Sequence, residues 1–215
     1  MSTTAVRPLR ADAVRNRALV VDAARRLFAE RGLDVTLHDV AEAAGVGVGT
    51  VYRRFPDKDA LLAGLLADKF EALVDLAETA GRRPTGRDAL RDYLLGAMEL
   101  RASDRALSSA VLRAAPHTTE TADLRATLQH LVDGIVDRAR AENAVREGFT
   151  GDDVPAVTSM IGSIADRTRE ESPEAWRRYG LLVVDAVCPP EGAPGPLVGA
   201  PLPPPGATSC VVSPP

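Results

Sequence analysis

Cysteine is nearly absent: Cys188 and Cys210 are the only two in 215 residues. One pair excludes a disulfide scaffold and any multi-cysteine zinc module, and it suits a reducing compartment. Aromatic residues make up 4% of the chain. With apolar–polar alternation also scarce, a β-sandwich or barrel is disfavoured. There is no basic excess, because 26 Lys and Arg stand against 30 Asp and Glu for a net charge of −4. A uniform positive coat for nucleic acid is therefore excluded, whereas a local basic patch is not. The longest internal uncharged stretch, Val154 to Ala165, is too short and too rich in Ser and Thr to cross a bilayer. Met1 to Arg10 has no apolar segment of the kind a secretory signal requires. Catalytic fingerprints are missing too: there is no G-x-S-x-G elbow, Walker loop or dinucleotide motif. His117 with Glu120, and His130 with Asp133, stand three apart, but neither pair has the third ligand that a metal site needs. The expectation is a cytoplasmic protein that is not an enzyme and uses no metal or cofactor.

What the chain does have is punctuation. Ten of its 16 prolines fall between Pro189 and Pro215, and the other six are scattered over the first 188 residues. Between those six run stretches rich in Ala, Leu, Arg, Glu and Asp, which tolerate or favour helix. The reading is all-α with nine helices: about 12–31, 37–44, 48–54, 58–80, 86–102, 104–115, 119–146, 153–170 and 173–187. Ser172 as N-cap with Pro173 at the first helical position marks the start of the last one. Residues 1–11 read as a flexible basic arm, 12–57 as one three-helix domain, 58–188 as a second helical domain, and 189–215 as a Pro-rich disordered tail.

Residues Val35 to Leu62 read VTLHDVAEAAGVGVGTVYRRFPDKDALL. Thr36 and Asp39 have the spacing of a capping box, and Val35 with Val40 that of a hydrophobic staple. Leu37, Val40, Ala41 and Ala44 share an inward face. Gly45 allows a tight turn of positive φ, and Gly47 can cap the next helix. Two short helices joined by a short Gly-containing turn form a helix-turn-helix. In the second helix Val51 and Phe55 point inward. Val48, Gly49, Thr50, Tyr52, Arg53 and Arg54 are left outside, where Arg and Tyr suit phosphates and base edges in a major groove. Gly49 costs the helix about 1 kcal/mol relative to Ala, as expected where a backbone approaches a phosphate closely. Lys58, at the first position of the following helix, opposes the helix dipole. A bound phosphate would offset that cost.

The run T-L-x-D-V-A-x-x-A-G-V-x-x-G-T-V-Y-R-x-F-x-x-K-x-A-L, Thr36 to Leu61, resembles the DNA-binding signature of the TetR (tetracycline-repressor) family. The nine-helix layout fits that family as well. The resemblance implies a ligand-responsive repressor that binds a palindromic operator in double-stranded DNA as a homodimer, one recognition helix per subunit. Successive major grooves would be entered about 34–36 Å apart. It assigns Thr36, Tyr52 and Lys58 to phosphates, Gly47, Val48, Gly49 and Thr50 to groove entry, and Arg53 to a base or phosphate, with Arg54 adding charge nearby. Where the family often has Ser as N-cap of the recognition helix this chain has Gly47, and where it often has His before the final Phe this chain has Arg54. The resemblance further implies that a small molecule bound by the C-terminal helices weakens operator affinity, as linkage requires.

Charge by region is independent of the resemblance. Residues 1–60 hold ten Arg and Lys against eight Asp and Glu, so the acidity lies in the remainder. Arg7, Arg10, Arg15 and Arg17 form the candidate arm for a minor groove. In the C-terminal half, Tyr93, Met98, Arg101, Arg113, His130, Met160 and Trp176 are candidate pocket residues for an unknown small-molecule effector. Arg101 stands on an apolar stripe, where it must either snorkel to solvent or line a pocket. Val157, Ile161, Ile164, Leu181 and Val184 form apolar stripes on the last two helices, and the resemblance assigns these to a dimer interface. The competing reading is a helical protein that binds a ligand or partner without a specific operator.

Overall fold

The computed structural model describes residues 6–104, 116 and 118–189. Every regular element among them is helical: α1 (Val6–Arg31), α2 (Leu37–Ala44), α3 (Val48–Arg54), α4 (Lys58–Gly81), α5 (Gly86–Ser103), α6 (Thr119–Ala141), α7 (Val154–Thr168) and α8 (Ala175–Val187), with a 3-10 turn at Gly151–Asp153 leading into α7. The expected helix at 104–115 lies, except for Asp104, outside the described residues. So do Arg113, His117 and the expected tail from Pro190 onward.

Starts set by side-chain caps fall where local chemistry places them. Thr36, Asp57, Thr85 and Thr118 each accept a hydrogen bond from the amide three residues on, which satisfies one orphan donor of the first turn. Three boundaries differ from expectation. First, α1 begins at Val6, so residues 6–11 of the expected arm are helical; Pro8 is tolerated there because a first-turn amide has no helical partner to lose. Second, α6 stops at Ala141 and not near residue 146, because Asn143 turns to φ 53, the left-handed conformation that Asn accepts more readily than most. Arg146 instead caps α8, its amide donating to the Val187 carbonyl at 2.8 Å and its Nε to that of Ala186 at 2.9 Å. Third, α8 starts at Ala175; Ser172 accepts the Ala175 amide in a turn, and Pro173 precedes the helix.

Two apolar cores divide the described chain. One joins α1, α2 and α3 to the first half of α4, with Phe28, Val40, Val51, Leu61 and Leu65 all at most 2% exposed. The other joins the second half of α4 to α5, α6, α7 and α8 around Leu90, Leu94, Met98, Val136 and Ile161. The division falls inside α4: Phe70 packs against the first core and Leu73 against the second. The boundary expected ahead of Lys58 therefore moves about four turns into this helix.

Polar ties hold the second core's helices in register. Arg138 of α6 donates to the carbonyls of Gly81, Arg83 and Thr85 and so laces the α4–α5 connection. Glu142 caps α5 with both carboxylate oxygens on the Gly86 amide, at 2.7 and 2.8 Å. A Cβ at Gly86 would collide with the α6 backbone at Arg138 and Ala139, so the close approach there requires glycine.

Candidate nucleic-acid interface

The turn between α2 and α3 is a Schellman motif. Gly45 sits at φ 65, its amide bonds to the Glu42 carbonyl, and the Val46 amide reaches back to Ala41 at 3.1 Å. That closes α2 and returns Val46 to the core. Helix α3 then opens on Gly47 and spans only two turns. Its inner edge is anchored by Val51, fully buried, and by Phe55 at its C-cap. The Phe55 ring lies against Gly64 of α4, where a Cβ would stand 3.0 Å from a ring carbon. Gly64 thus makes room for the contact that seats α3 on α4. Pro56 follows and holds Phe55 extended, which ends the helix.

With its base held, α3 turns the rest of its surface outward. Val48, Gly49, Tyr52, Arg53 and Arg54 are exposed, and Thr50 is half-buried. Val48 at 40% and Tyr52 at 51% are unusually exposed for their types. Arg53 folds back along α3, its Nε donating to the Gly49 carbonyl at 3.1 Å and its Nη2 to the Thr50 hydroxyl at 3.4 Å. The guanidinium is thereby held at the N-terminal half of the helix. Arg54 lies over the Phe55 ring, 6.0 Å from its centre.

Two of the expected phosphate contacts already have partners inside the protein. The Thr36 hydroxyl accepts the Asp39 amide and donates to the Asp39 carboxylate at 2.6 Å, and the Thr36 amide bonds the same oxygen. These bonds, with Arg31 nearby, hold the Asp39 carboxyl below its ordinary 3.8. Lys58 donates its ammonium to the Leu33 carbonyl, which ties the start of α4 to the α1–α2 loop. A cation at the first position of α4 therefore has an internal reason that the spacing of residues did not reveal.

The expected effector residues are divided between the second core and the surface. Tyr93, Met98 and Trp176 belong to the second core, with the Tyr93 phenol pushed above its ordinary range by burial. His130 and Met160 are exposed. Arg101, at 8% exposure, neither snorkels nor lines a cavity: its Nη2 meets the Asp166 carboxylate of α7 at 2.7 Å. Gly162 permits this, because a Cβ there would stand 2.7 Å from the arginine stem. The dimer stripe also needs correction. Ile161 and Val184 are 1% and 0% exposed, used within the subunit's own core, while Val157, Ile164 and Leu181 are half-buried. The outer apolar residues of α7 and α8 are Met160 and Leu182.

Two cavities open elsewhere. One of about 520 Å³ lies between α1, α4 and the end of α5, with Arg25, Lys69 and Leu100 among its walls. One of about 320 Å³ lies between α4 and α6 around Ala77, Leu131 and Arg138. Lys69 was legible in principle, since it interrupts the inward stripe Leu62, Leu66, Leu73 and Ala77 of α4 at helical spacing. Among the described residues no group of three potential metal ligands occurs, and no helix is long and apolar enough to cross a membrane.

Residues 20–65 match the family model for bacterial regulatory proteins of the tetR family, and residues 85–185 match that for the C-terminal domain of SbtR-like transcriptional regulators. Over 75 residues the chain is 40% identical to the HTH-type transcriptional repressor KstR of Rhodococcus jostii, a match covering 34% of either protein. The alignment thus spans about a third of that relative's length. An HTH-type transcriptional regulator of Mycobacterium bovis is 28% identical over 153 residues, covering 69% of this chain and 77% of that one. The crystal structure of a TetR transcription regulatory protein from Mycobacterium vanbaalenii superposes with a TM-score of 0.59 at 27% identity, covering 84% of this chain and 99% of that chain.

Proposed function

The chain belongs to the TetR family of bacterial regulatory proteins, and from that premise we propose that it is a transcriptional repressor acting in the cytoplasm. It binds a palindromic operator as a homodimer and leaves it when a small molecule binds. One observation carries this reading: α3 is anchored by Val51 and Phe55 alone, while Val48, Gly49, Tyr52, Arg53 and Arg54 stand outward on a two-turn helix. Val48 and Tyr52, one turn apart, put apolar surface beside Arg53 and Arg54 on that face. In a major groove the Val48 side chain suits a thymine methyl, and Arg53 a guanine edge or phosphate.

Thr36, Gly47, Thr50 and Lys58 frame the same face. Thr36 and Lys58 reach a phosphate only by giving up Asp39 and the Leu33 carbonyl, so Tyr52, Arg53 and Arg54 carry the larger share. Dimerisation falls to the outer face of α7 and α8, centred on Met160 and Leu182 and not on Ile161 and Val184.

The test is selection of duplexes from a random pool by the purified protein at physiological salt. A palindrome should be enriched, with an affinity that falls steeply as salt rises. Arg53→Ala should weaken binding at least tenfold while leaving the melting temperature near that of the wild type, because the residue is exposed. An unenriched pool overturns the proposal.

A further inference from the structure

The 520 Å³ cavity lies where the two cores meet: α1 supplies Arg25 and Ala29, α4 supplies Lys69 and Ala72, and α5 supplies Leu100. Its size is that of a small-molecule site. Ala29, Ala72 and Leu100 give it an apolar wall; the other lining residues are mostly ionic, and they are unequally satisfied. Asp68 is held by Arg17 at 2.5 Å. Asp104 also has a partner. Glu30 is exposed at the edge. The cations are not matched in the same way. Among the described residues Lys69 makes no hydrogen bond and no ion pair, although it is half-buried. Arg25 has its Nε buried without an acceptor. A half-buried ammonium that makes no hydrogen bond is costly even with Asp104 acting on it from a distance, and a carboxylate beside it offsets that cost. Desolvation, with Arg101 adding to it and Asp104 opposing it, lowers the Lys69 pKa.

We propose that this cavity is the effector site, and that it takes an amphipathic monoanion whose carboxylate meets Lys69 and whose apolar body lies against Ala29, Ala72 and Leu100. An occupant there touches α1 and α5 at once. It therefore sets the position of the DNA-binding core against the second core, which is what a regulator needs. The regulatory half of this inference rests on the function proposed above, and the binding half does not.

Calorimetry on the full-length protein with octanoate, 1-octanol and octylamine tests the binding half. Octanoate should bind at least tenfold more tightly than 1-octanol, and octylamine should not bind. Lys69→Met should lower octanoate affinity tenfold or more without changing that for 1-octanol, and Lys69→Arg should restore most of it. Lys69→Met removes a half-buried charge that makes no hydrogen bond, so it should melt no lower than the wild type. Leu100→Trp, which fills the cavity from the α5 side, should abolish octanoate binding independently. Equal octanoate affinity in wild type and Lys69→Met, or no octanoate binding, overturns the site. Octanoate should also release the selected operator from wild type but not from Lys69→Met. A protein that binds octanoate yet selects no operator overturns the regulatory reading alone, whereas intact operator binding without octanoate binding overturns the site alone.

Discussion

Arg101 of α5 and Asp166 of α7 meet across the second core, Nη2 to Oδ2 at 2.7 Å, and Arg169 shares the same carboxylate at 2.9 Å. The arginine is almost wholly buried and the aspartate is 42% exposed at its side chain. The two positions are therefore not equivalent. Asp166→Ala leaves a buried guanidinium without its partner and should cost about 2–3 kcal/mol, while Arg101→Met fills the same space with apolar atoms and should cost about 1 kcal/mol or less. Urea denaturation of the two variants checks the asymmetry. Equal costs would mean that the pair is merely packed. Burial alone would raise the Asp166 pKa, but bonds and charge from Arg101 and Arg169 outweigh it and hold the carboxyl below 3.8. Its contribution should therefore be complete well above 3.8 and disappear as pH falls through the lower, native value.

Gly49 offers a sharper separation of fold from function. A Cβ there would meet no atom within 4 Å, and the backbone is ordinary helix. Gly49→Ala should therefore stabilise the protein, by about 0.5–1 kcal/mol. If the glycine serves a close approach to DNA, the same variant should bind the selected operator at least tenfold more weakly. A thermal melt and a titration of labelled operator give both numbers, and unchanged affinity would remove DNA from the explanation of Gly49.

The outer and inner apolar residues of α7 and α8 should fail in different ways. Met160→Glu combined with Leu182→Glu alters residues that are 58% and 44% exposed. It should convert a dimer to a folded monomer in sedimentation velocity. Ile161→Glu buries a carboxylate in the core and should unfold the chain. A doubly substituted protein that still sediments as a dimer would place the interface elsewhere.

Cys188 is fully buried at the end of α8, and desolvation pushes its thiol up to about 11 from an ordinary 9.0. In a Cys210→Ser background at pH 8, the folded protein should react with a thiol reagent about 100-fold more slowly than an exposed cysteine, and quickly once denatured. Because the native state holds this proton more tightly than the unfolded chain, stability should fall as pH rises from 9.0 towards 11. Rapid labelling at neutral pH without unfolding would contradict the burial.

Local chemistry explains what was legible in the sequence. The Thr36 and Asp39 box, the Thr85 cap, the glycine turn at Gly45 and the bounds of α3 each depend on residues within five positions of one another. The outward set on α3 followed from them. Distant partners explain what was not legible. Arg101 finds its carboxylate 65 positions away, and Arg146 caps a helix that ends about 40 residues later. An apolar stripe states that a face is covered but not by what, so Ile161 and Val184, which lie in the core, read from the sequence as an interface, and Met160, which is exposed, as a pocket residue. The tie from Lys58 to Leu33 was not legible because its acceptor is a backbone carbonyl, which leaves no mark in the sequence.

The sharing of α4 between two cores has a consequence for change by insertion or deletion. Only Glu71 and Ala72 separate Phe70, which belongs to the first core, from Leu73, which belongs to the second. The helix is continuous there, so the rotational phase between α3 and the helices of the second core is fixed by how many residues intervene, whatever their chemistry. One added residue would rotate one half against the other by about 100° and lengthen the rod by about 1.5 Å. Substitutions at Glu71 and Ala72 are thus cheap in phase, while a single-codon insertion would turn the outward face of α3 to a new direction relative to α7 and α8.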